Sequence, residues 1–184
     1  MPAFRFLLGI GGAFAASSVA AQPAVDSAMR RLQPLVGTWE VDDTYRSTRG
    51  AVIRETGVRT CAYVLEERYV ECVTRGRNSS GREREYRWML NYNTETRRYD
   101  LIGIFSNYTG KVIQTFRIDS TGSVWNLRAP SSSNDGVEQW HWAQLVFESP
   151  DRAVYTSYRN LETSSPTDWT VATRETWIRR PAMP

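Results

Sequence analysis

The chain has 184 residues, a formal net charge of +3 and 41% hydrophobic residues, which suits a protein with one folded core. Lys111 is the single lysine among 23 basic residues, and the arginines are interleaved with acidic residues, as in "GREREYR" (81–87). Because a nucleic-acid-binding surface concentrates its positive charge in one patch, this scattered pattern argues against nucleic acid as a partner.

The first 21 residues have the pattern of a secretory signal peptide. Arg5 supplies an early positive charge, an apolar run covers 6–16, and small residues follow in "SSVAAQ". The run is shorter than the ~20 apolar residues that span a bilayer, which argues against the alternative of an uncleaved anchor. We predict cleavage after Ala20 or Ala21, and a periplasmic or secreted location. The mature chain, 22–184, is predicted to be a single domain without a membrane span.

A short helix followed by strands is predicted for the mature chain. The helix is expected at 25–33, because Asp26 or Ser27 can cap its first turn and Pro34 follows its end. Seven Trp, nine Tyr and six Phe, with many Thr and Val, favour strands over helices. Partial alternation between turn residues predicts strands at 36–46, 50–60, 61–65, 68–75, 84–92, 98–106, 111–118, 123–129, 137–148, 152–160 and 167–179. About ten strands without a linker predict an all-β fold, an antiparallel up-and-down barrel.

The sequence lacks the motifs of common catalytic and metal sites, so no catalytic and no metal-ligating residue is predicted. His141 is the single histidine, which excludes a multi-histidine metal site. No G-x-S-x-G and no Gly-rich phosphate loop occurs. Two carboxylate pairs, Asp42–Asp43 and Glu83/Glu85, are interpreted as solvated strand faces and turn residues.

Residues 32–41, "LQPLVGTWEV", resemble the opening of the calycin superfamily, whose lipocalin-like barrels begin with a short helix and a Gly-x-Trp strand. A longer stretch, from "AYVLEERYVECV" to "LNYNTETRRYDLIGIFSNYTG" (90–110), resembles DUF1579, a bacterial lipocalin-like family of unknown function. The family's two hairpin patterns correspond here to 65–69 and 92–99. The sequence departs from the family at Glu66–Glu67, where the family usually has Gly-Gly. The resemblance implies a calycin fold and no assigned activity.

The resemblance also implies how the barrel closes. Calycins commonly hold the Gly-x-Trp indole under an arginine of the last strand, which implies that Gly37 allows a tight entry and that Trp39 plugs one end. The end of the last strand lies beside the start of the first in an antiparallel closure, which favours Arg179 over Arg174 as the covering arginine. The residues expected on the packed face with Arg179 are Trp169, Val171 and Trp177.

Cys61 and Cys72 are predicted to form a disulfide, because two cysteines in an exported protein most simply pair with each other. The hairpin implied by the resemblance places them on facing positions. A disulfide favours a non-hydrogen-bonded pair, which requires a four-residue turn at 65–68 rather than a two-residue turn. Glu66–Glu67 also suit poorly the positive φ angles of a two-residue type I′ turn.

Three functions remain open. The first, by analogy with the fold class, is binding of a small hydrophobic or amphipathic ligand in the barrel lumen. The second is a closed structural or interaction module, because large aromatic side chains fill a small barrel as readily as they line it. The third is an enzyme, which would need an inward-facing polar cluster with perturbed carboxylates. The candidate lumen residues are Trp39, Val41, Tyr45, Tyr86, Trp88, Leu90 and His141.

Two further expectations depend on side chains whose direction the sequence leaves open. Arg117 or Arg128 would favour an anionic head group if either points into the lumen. His141 could be a haem ligand if it points inward, or an ordinary hydrogen-bonded barrel histidine. Alternation along 138–147 does not decide which face of that strand lines the lumen. Apart from this haem alternative, no cofactor is predicted.

Overall fold

The chain forms a closed barrel of ten antiparallel strands in a computed structural model that describes residues 27–46, 50–132, 138–160 and 169–181. Each strand pairs with its neighbours along the chain, and the last strand pairs with the first. The predicted fold class, an up-and-down barrel of about ten strands, is therefore confirmed. The strands are β1 (Gly37–Arg46), β2 (Val52–Val64), β3 (Tyr69–Asn78), β4 (Glu83–Asn93), β5 (Arg98–Phe105), β6 (Tyr108–Ile118), β7 (Val124–Ser132), β8 (Glu138–Ser149), β9 (Arg152–Asn160) and β10 (Trp169–Arg179).

The segment before β1 is less regular than the single helix predicted at 25–33. A helical turn covers 27–30, and a 3-10 helix follows at Gln33–Leu35 with Pro34 inside it. Residues 25 and 26 and the predicted signal peptide, 1–21, lie outside the described residues. In the part of the chain that the structure describes, no helix is long and apolar enough to cross a membrane.

The two strands predicted at 50–60 and 61–65 are one continuous strand, β2. The sequence has no turn residue at the predicted boundary between Thr60 and Cys61. β2 also keeps an unbroken register with β1 on one side and with β3 on the other. A strand with two partners has its backbone groups paired on both sides, so the prediction of a break was wrong.

The disulfide between Cys61 and Cys72 is confirmed, with the two sulfurs 2.02 Å apart. The cysteines are directly paired in the β2–β3 ladder, and their Cα atoms lie 4.0 Å apart. That distance is closer to the ~4.5 Å of a non-hydrogen-bonded pair than to the ~5.5 Å of a hydrogen-bonded pair. The bond therefore joins the type of pair that the sequence analysis expected.

The turn between β2 and β3 has the expected four residues. It is closed by the Arg68 amide, which donates to the Leu65 carbonyl at 3.1 Å. Leu65, Glu66 and Glu67 all have positive φ angles, of 51°, 56° and 62°. Glu66 and Glu67 therefore adopt the left-handed conformation even in the four-residue turn. A side chain in this conformation is strained, which explains why Gly-Gly would suit the same positions.

One end of the barrel is closed by the segment 27–35. Met29, Leu32 and Leu35 are buried in the core. The phenol hydroxyls of two strand residues tie this segment down, because Tyr63 donates to the Met29 carbonyl and Tyr99 to the Ala28 carbonyl, each at 3.0 Å. We refer to this end as the closed end.

Aromatic rings fill the lumen at the closed end. Trp39 is fully buried, and its indole N–H donates to the Leu35 carbonyl at 2.8 Å. Neighbouring rings contact one another with centroids 5.0–6.3 Å apart, within the range of favourable aromatic pairs. The rings in this cluster are Trp39, Tyr99, Phe116, Trp125, Phe147 and Trp177.

Arg179 lies over the Trp39 indole, with its guanidinium carbon 4.0 Å from the ring centroid. Its two terminal nitrogens donate to the Val36 and Pro34 carbonyls at 2.6 and 2.8 Å. Gly37 has a φ of 130°, and a Cβ there would stand 2.5 Å from a guanidinium nitrogen of Arg179. Gly37, Trp39 and Arg179 therefore form one unit, in which the glycine leaves room for the arginine.

We expect Arg179→Ala to destabilise the protein by about 2 kcal/mol, because it removes a cation–π contact and hydrogen bonds from a charged donor. Arg180→Ala is the matched control. Arg180 pairs with Glu40 on the surface at 3.1 Å, and such exposed pairs contribute ~0–1 kcal/mol. Urea unfolding of both variants measures the difference, and equal midpoints would show that the Trp39 contact does not stabilise the closed end.

The predicted packed face of β10 is correct at Trp177 and wrong nearer the start of the strand. Trp177 is fully buried, whereas Trp169 and Val171 are 37% and 47% exposed. The β9–β10 register shifts between Val171 and Thr173, which is a β-bulge at Ala172. An extra residue in a strand reverses which side chains point inward, so parity counted from Arg179 gives the wrong face beyond the bulge.

Candidate functional site: a polar cavity in the barrel lumen

A cavity of about 310 Å³ occupies the lumen between the closed end and the opposite end of the barrel. Aromatic side chains supply much of its wall, together with the aliphatic side chains of Leu101 and Val112. Polar side chains from β1, β2, β6, β9, β10 and the β5–β6 turn supply the rest. The aromatic lining residues are Tyr45, Tyr86, Trp88, Phe105 and Tyr155. The polar lining residues are Asp43, Arg59, Asn107, Gln114, Ser157, Thr173 and Glu175.

The candidate lumen residues divide into two groups. Tyr45, Tyr86 and Trp88 line the cavity. The other described candidates, Trp39, Val41 and Leu90, are buried in the packed core and are not among the lining residues. The lumen is thus filled at the closed end and hollow above it.

His141 lies on β8, opposite Ala129 on β7 and Arg159 on β9. Its side chain lies outside the described residues, so both readings of it, haem ligand or hydrogen-bonded barrel histidine, stay predictions. Further along β8, Ala143 and Leu145 are buried in the core. That face of the described part of β8 is therefore the lumen face.

The interior arginine is Arg59, and neither of the two arginines considered from the sequence. Arg117 and Arg128 are exposed, so the condition under which either would favour an anionic head group in the lumen is not met. Arg59 is only 1% exposed and lines the cavity. Strand alternation is the signal that could have found it, because Arg59 lies two residues before the inward-facing Cys61.

Arg59 is held between two indoles at the floor of the cavity. Its guanidinium carbon lies 4.4 Å from the ring centroid of Trp88 and 4.2 Å from that of Trp177. Its Nε donates to the Thr74 hydroxyl at 2.6 Å, and Nη1 lies 3.0 Å from Oε2 of Glu175. The same Glu175 oxygen accepts the Trp177 indole N–H at 2.8 Å. These contacts give the guanidinium a fixed position and compensate the burial of its charge.

Three carboxyl groups lie side by side on adjacent strands. Asp43 on β1 is directly paired with Glu175 on β10 and with Glu55 on β2. Glu55 accepts the Tyr86 hydroxyl at 2.8 Å, and Arg84 Nε lies 4.0 Å from the same oxygen. Glu175 and Glu55 thus each have a cationic neighbour, whereas Asp43 lies between two other acids.

This position changes the protonation of Asp43. Burial, and next the charges of Glu175 and Glu55, raise the pKa of Asp43 to about 9, although Arg59 opposes the shift. The carboxyl is therefore neutral at pH 7. Burial also raises the pKa of Glu55, while its hydrogen bond from Tyr86 and the charge of Arg84 act in the opposite direction.

The interpretation of neighbouring carboxylates as solvated faces fits one pair and fails for the other. Glu83 and Glu85 make surface ion pairs, for example between Glu83 and Arg77 at 2.9 Å. Asp42 is exposed, but Asp43 faces the lumen. Among the described residues, no group of three or more His, Cys, Asp or Glu side chains could hold a metal ion.

No family model and no curated protein matches the chain. Two solved structures resemble it closely in shape. An S-type phycobiliprotein lyase, CPES from Guillardia theta, matches with a TM-score of 0.59 and 12% identity, over 86% of this chain and 94% of its own. The Rv2717c protein of M. tuberculosis matches with a TM-score of 0.61 and 14% identity, over 84% of this chain and 98% of its own.

At this identity the likeness concerns the fold alone. Together with the strand order and the closed end, it defines the fold: this protein is a closed, lipocalin-like β-barrel of ten antiparallel strands.

Proposed function

We propose that this protein binds one small amphipathic molecule in the cavity of its lumen. The observation that carries the proposal is the cavity itself, whose 310 Å³ lies at the lower end of the ~300–1,000 Å³ typical of small-molecule sites. Five aromatic side chains supply the apolar surface, and a few convergent polar groups supply orientation. A barrel that serves only as a rigid structural module does not require an unfilled cavity in its lumen.

The proposal includes export and family. The pattern of residues 1–21 predicts a signal peptide, and the disulfide between Cys61 and Cys72 supports an oxidising compartment such as the periplasm. The mature protein is then one domain, 22–184, of a bacterial lipocalin-like type related to DUF1579. Free thiols at Cys61 and Cys72 in protein isolated from its host without reductant would contradict an oxidising compartment.

An enzymatic function needed an inward-facing polar cluster with a perturbed carboxylate, and Asp43 meets that condition. The cluster does not by itself indicate a reaction. Ligand binding requires only the cavity and its polar groups, and it is therefore the function that we adopt.

Blocking the cavity tests the proposal. Thr173 lines the cavity, and the next residue, Arg174, is exposed on the outside of the same strand. We expect Thr173→Trp to abolish ligand binding, because the indole would occupy the cavity, and Arg174→Trp to preserve it. Protein purified from its host without detergent is examined by native mass spectrometry for a bound small mass, and circular dichroism checks that both variants fold.

A bound mass in the wild type and in Arg174→Trp, and its loss in folded Thr173→Trp, supports the proposal. Absence of any bound mass, together with no binding in a ligand-observed NMR screen of small aromatic compounds, contradicts it. Binding that survives in Thr173→Trp also contradicts it, because the ligand would then lie outside the lumen.

A further inference from the structure

Three buried polar atoms of cavity-lining residues have no hydrogen-bond partner among the described residues: Nε1 of Trp88, Oδ1 of Asp43 and Nη1 of Arg59. Nη1 of Arg59 lies 3.0 Å from a Glu175 oxygen, so its charge is already compensated by an ion pair. Trp88 is 8% exposed, and its indole N–H can only donate. A buried polar group without a partner is costly, so such groups in a cavity wall indicate where a ligand's polar atoms belong. The indole N–H requires an acceptor on the ligand.

The other charged groups of the described lumen already compensate one another. Arg59 pairs with Glu175, and Arg84 lies beside Glu55. A ligand that brought a full charge into this cavity would find no free counter-charge while Asp43 is protonated. Burial of an uncompensated charge is far more costly than burial of a hydrogen-bonded neutral group.

We propose, building on the function proposed above, that the cavity selects an uncharged aromatic carbonyl compound. Its oxygen accepts the Trp88 indole N–H, and its polar group also hydrogen-bonds the neutral carboxyl of Asp43. The aromatic body packs against Tyr155 and Phe105, which line the same cavity. Ionisation of Asp43 adds an uncompensated negative charge to the wall and releases the ligand.

The pH at which release occurs follows from the surroundings of Asp43. The groups that act on it include acids, a base and a phenol from its own strand and from its neighbours: Asp42, Tyr45, Glu55, Arg59 and Glu175. The net effect places the pKa of Asp43 at about 9. Burial holds the pKa of Tyr45, Tyr86 and Tyr155 above the usual value, so that Asp43 is the lumen group that changes charge between pH 7 and pH 10.

Charged ligands are disfavoured for separate reasons. An ammonium group gains a counter-ion only if Asp43 is ionised. Because the pKa of Asp43 is about 9, only about 1% of this carboxyl is ionised at pH 7, and the apparent affinity for the ammonium is about 100-fold weaker than for the ionised protein. A carboxylate ligand would add a third acid to a wall that already contains Asp43 and Glu175, with Glu55 directly paired to Asp43 on the neighbouring strand.

Three naphthalene compounds of almost equal size separate these cases: 2-naphthamide, 2-naphthylmethylammonium and 2-naphthoate. Their affinities are measured at pH 7 by isothermal titration calorimetry with the full-length mature protein. We expect 2-naphthamide to bind at least tenfold more tightly than either ion. Its affinity for the wild type is expected to fall about tenfold between pH 7 and pH 10, because about nine-tenths of Asp43 is then ionised. Near-ultraviolet circular dichroism confirms that the barrel stays folded at pH 10.

Asp43→Asn is the decisive variant, because asparagine is a neutral isostere of the protonated acid. We expect its affinity for 2-naphthamide to show no fall between pH 7 and pH 10, because asparagine does not ionise. Trp88→Phe keeps an aromatic wall without the indole N–H, and we expect at least tenfold weaker binding.

Tighter binding of the ammonium, or loss of 2-naphthamide binding in folded Asp43→Asn at pH 7, overturns the proposal. Equal pH profiles in the wild type and Asp43→Asn overturn it as well. Failure of all three compounds to bind also overturns the proposed ligand class. In that case, a co-purified mass that Thr173→Trp removes would still support ligand binding in the lumen. Binding of 2-naphthamide that Thr173→Trp does not block contradicts both.

Discussion

Arg59→Ala is expected to destabilise the barrel by about 3–5 kcal/mol, because it leaves the buried Glu175 carboxylate without its counter-charge. It also removes the cation–π contacts of the guanidinium carbon with the indoles of Trp88 and Trp177, whose ring centroids lie 4.4 and 4.2 Å away. The free energy of unfolding, measured in urea at pH 7, gives the size of the effect. Arg75→Ala is the control, because Arg75 pairs with Glu85 at 3.1 Å on the surface with its side chain 70% exposed.

A double substitution separates the missing charge from the missing contacts. Arg59→Met with Glu175→Gln removes both charges and keeps most of the volume, so we expect it to recover at least half of the stability that Arg59→Ala loses. If the double variant is no more stable than Arg59→Ala, packing between the indoles matters more than the ion pair. If Arg59→Ala costs no more than the Arg75 control, the ion pair does not stabilise the lumen.

Asp43→Asn is expected to stabilise the protein at pH 7, on the order of 2 kcal/mol, and to have little effect at pH 4. The folded-state pKa of this carboxyl is raised to about 9, whereas in the unfolded chain it has its ordinary value near 3.8. The folded state therefore binds a proton that the unfolded state releases. The contribution of Asp43 to the stability of the wild type is fully present below the ordinary pKa and is lost as the pH rises from about 4 towards 9, and asparagine removes this loss.

Thermal unfolding from pH 4 to pH 9 measures the difference between wild type and variant. Asp42→Asn is the control on the adjacent residue, because Asp42 is exposed and its side chain faces away from the lumen. We expect the melting temperature of Asp43→Asn to exceed that of the wild type by an amount that grows with pH. A constant difference across the range would show that Asp43 ionises near its ordinary pKa.

An acid whose replacement stabilises the fold is typical of a functional site. The directly paired row of Glu55, Asp43 and Glu175 opposes like charges on adjacent strands, which is unfavourable for a sheet. The barrel tolerates the row because Arg59 and Arg84 lie beside two of the acids and the third is protonated. This arrangement gives the cavity wall a neutral hydrogen-bonding group at pH 7.

Several features followed from local signals in the sequence. Alternation between turn residues predicted the strands, and two cysteines in a chain with a predicted signal peptide predicted the disulfide. The hairpin that places these cysteines opposite each other, about a turn at 65–68, was implied by the family resemblance. The position of Arg179 near the end of the last strand predicted that it lies near Trp39. Each of these features depends on residues close in sequence or on the closure of an antiparallel barrel, and such relations can be counted along the chain.

The tertiary structure alone decided which polar residues share the lumen. Asp43 and Glu55 come from the first two strands and Glu175 from the last, and only barrel closure and the register of those strands make the three acids neighbours. The bulge at Ala172 reverses the inward face of β10, and alternation in the sequence does not mark it. Sequence periodicity therefore determined an antiparallel barrel, and the family resemblance implied its lipocalin-like type. Barrel closure and register decided which polar and aromatic side chains line the cavity, because both join residues that no local pattern connects.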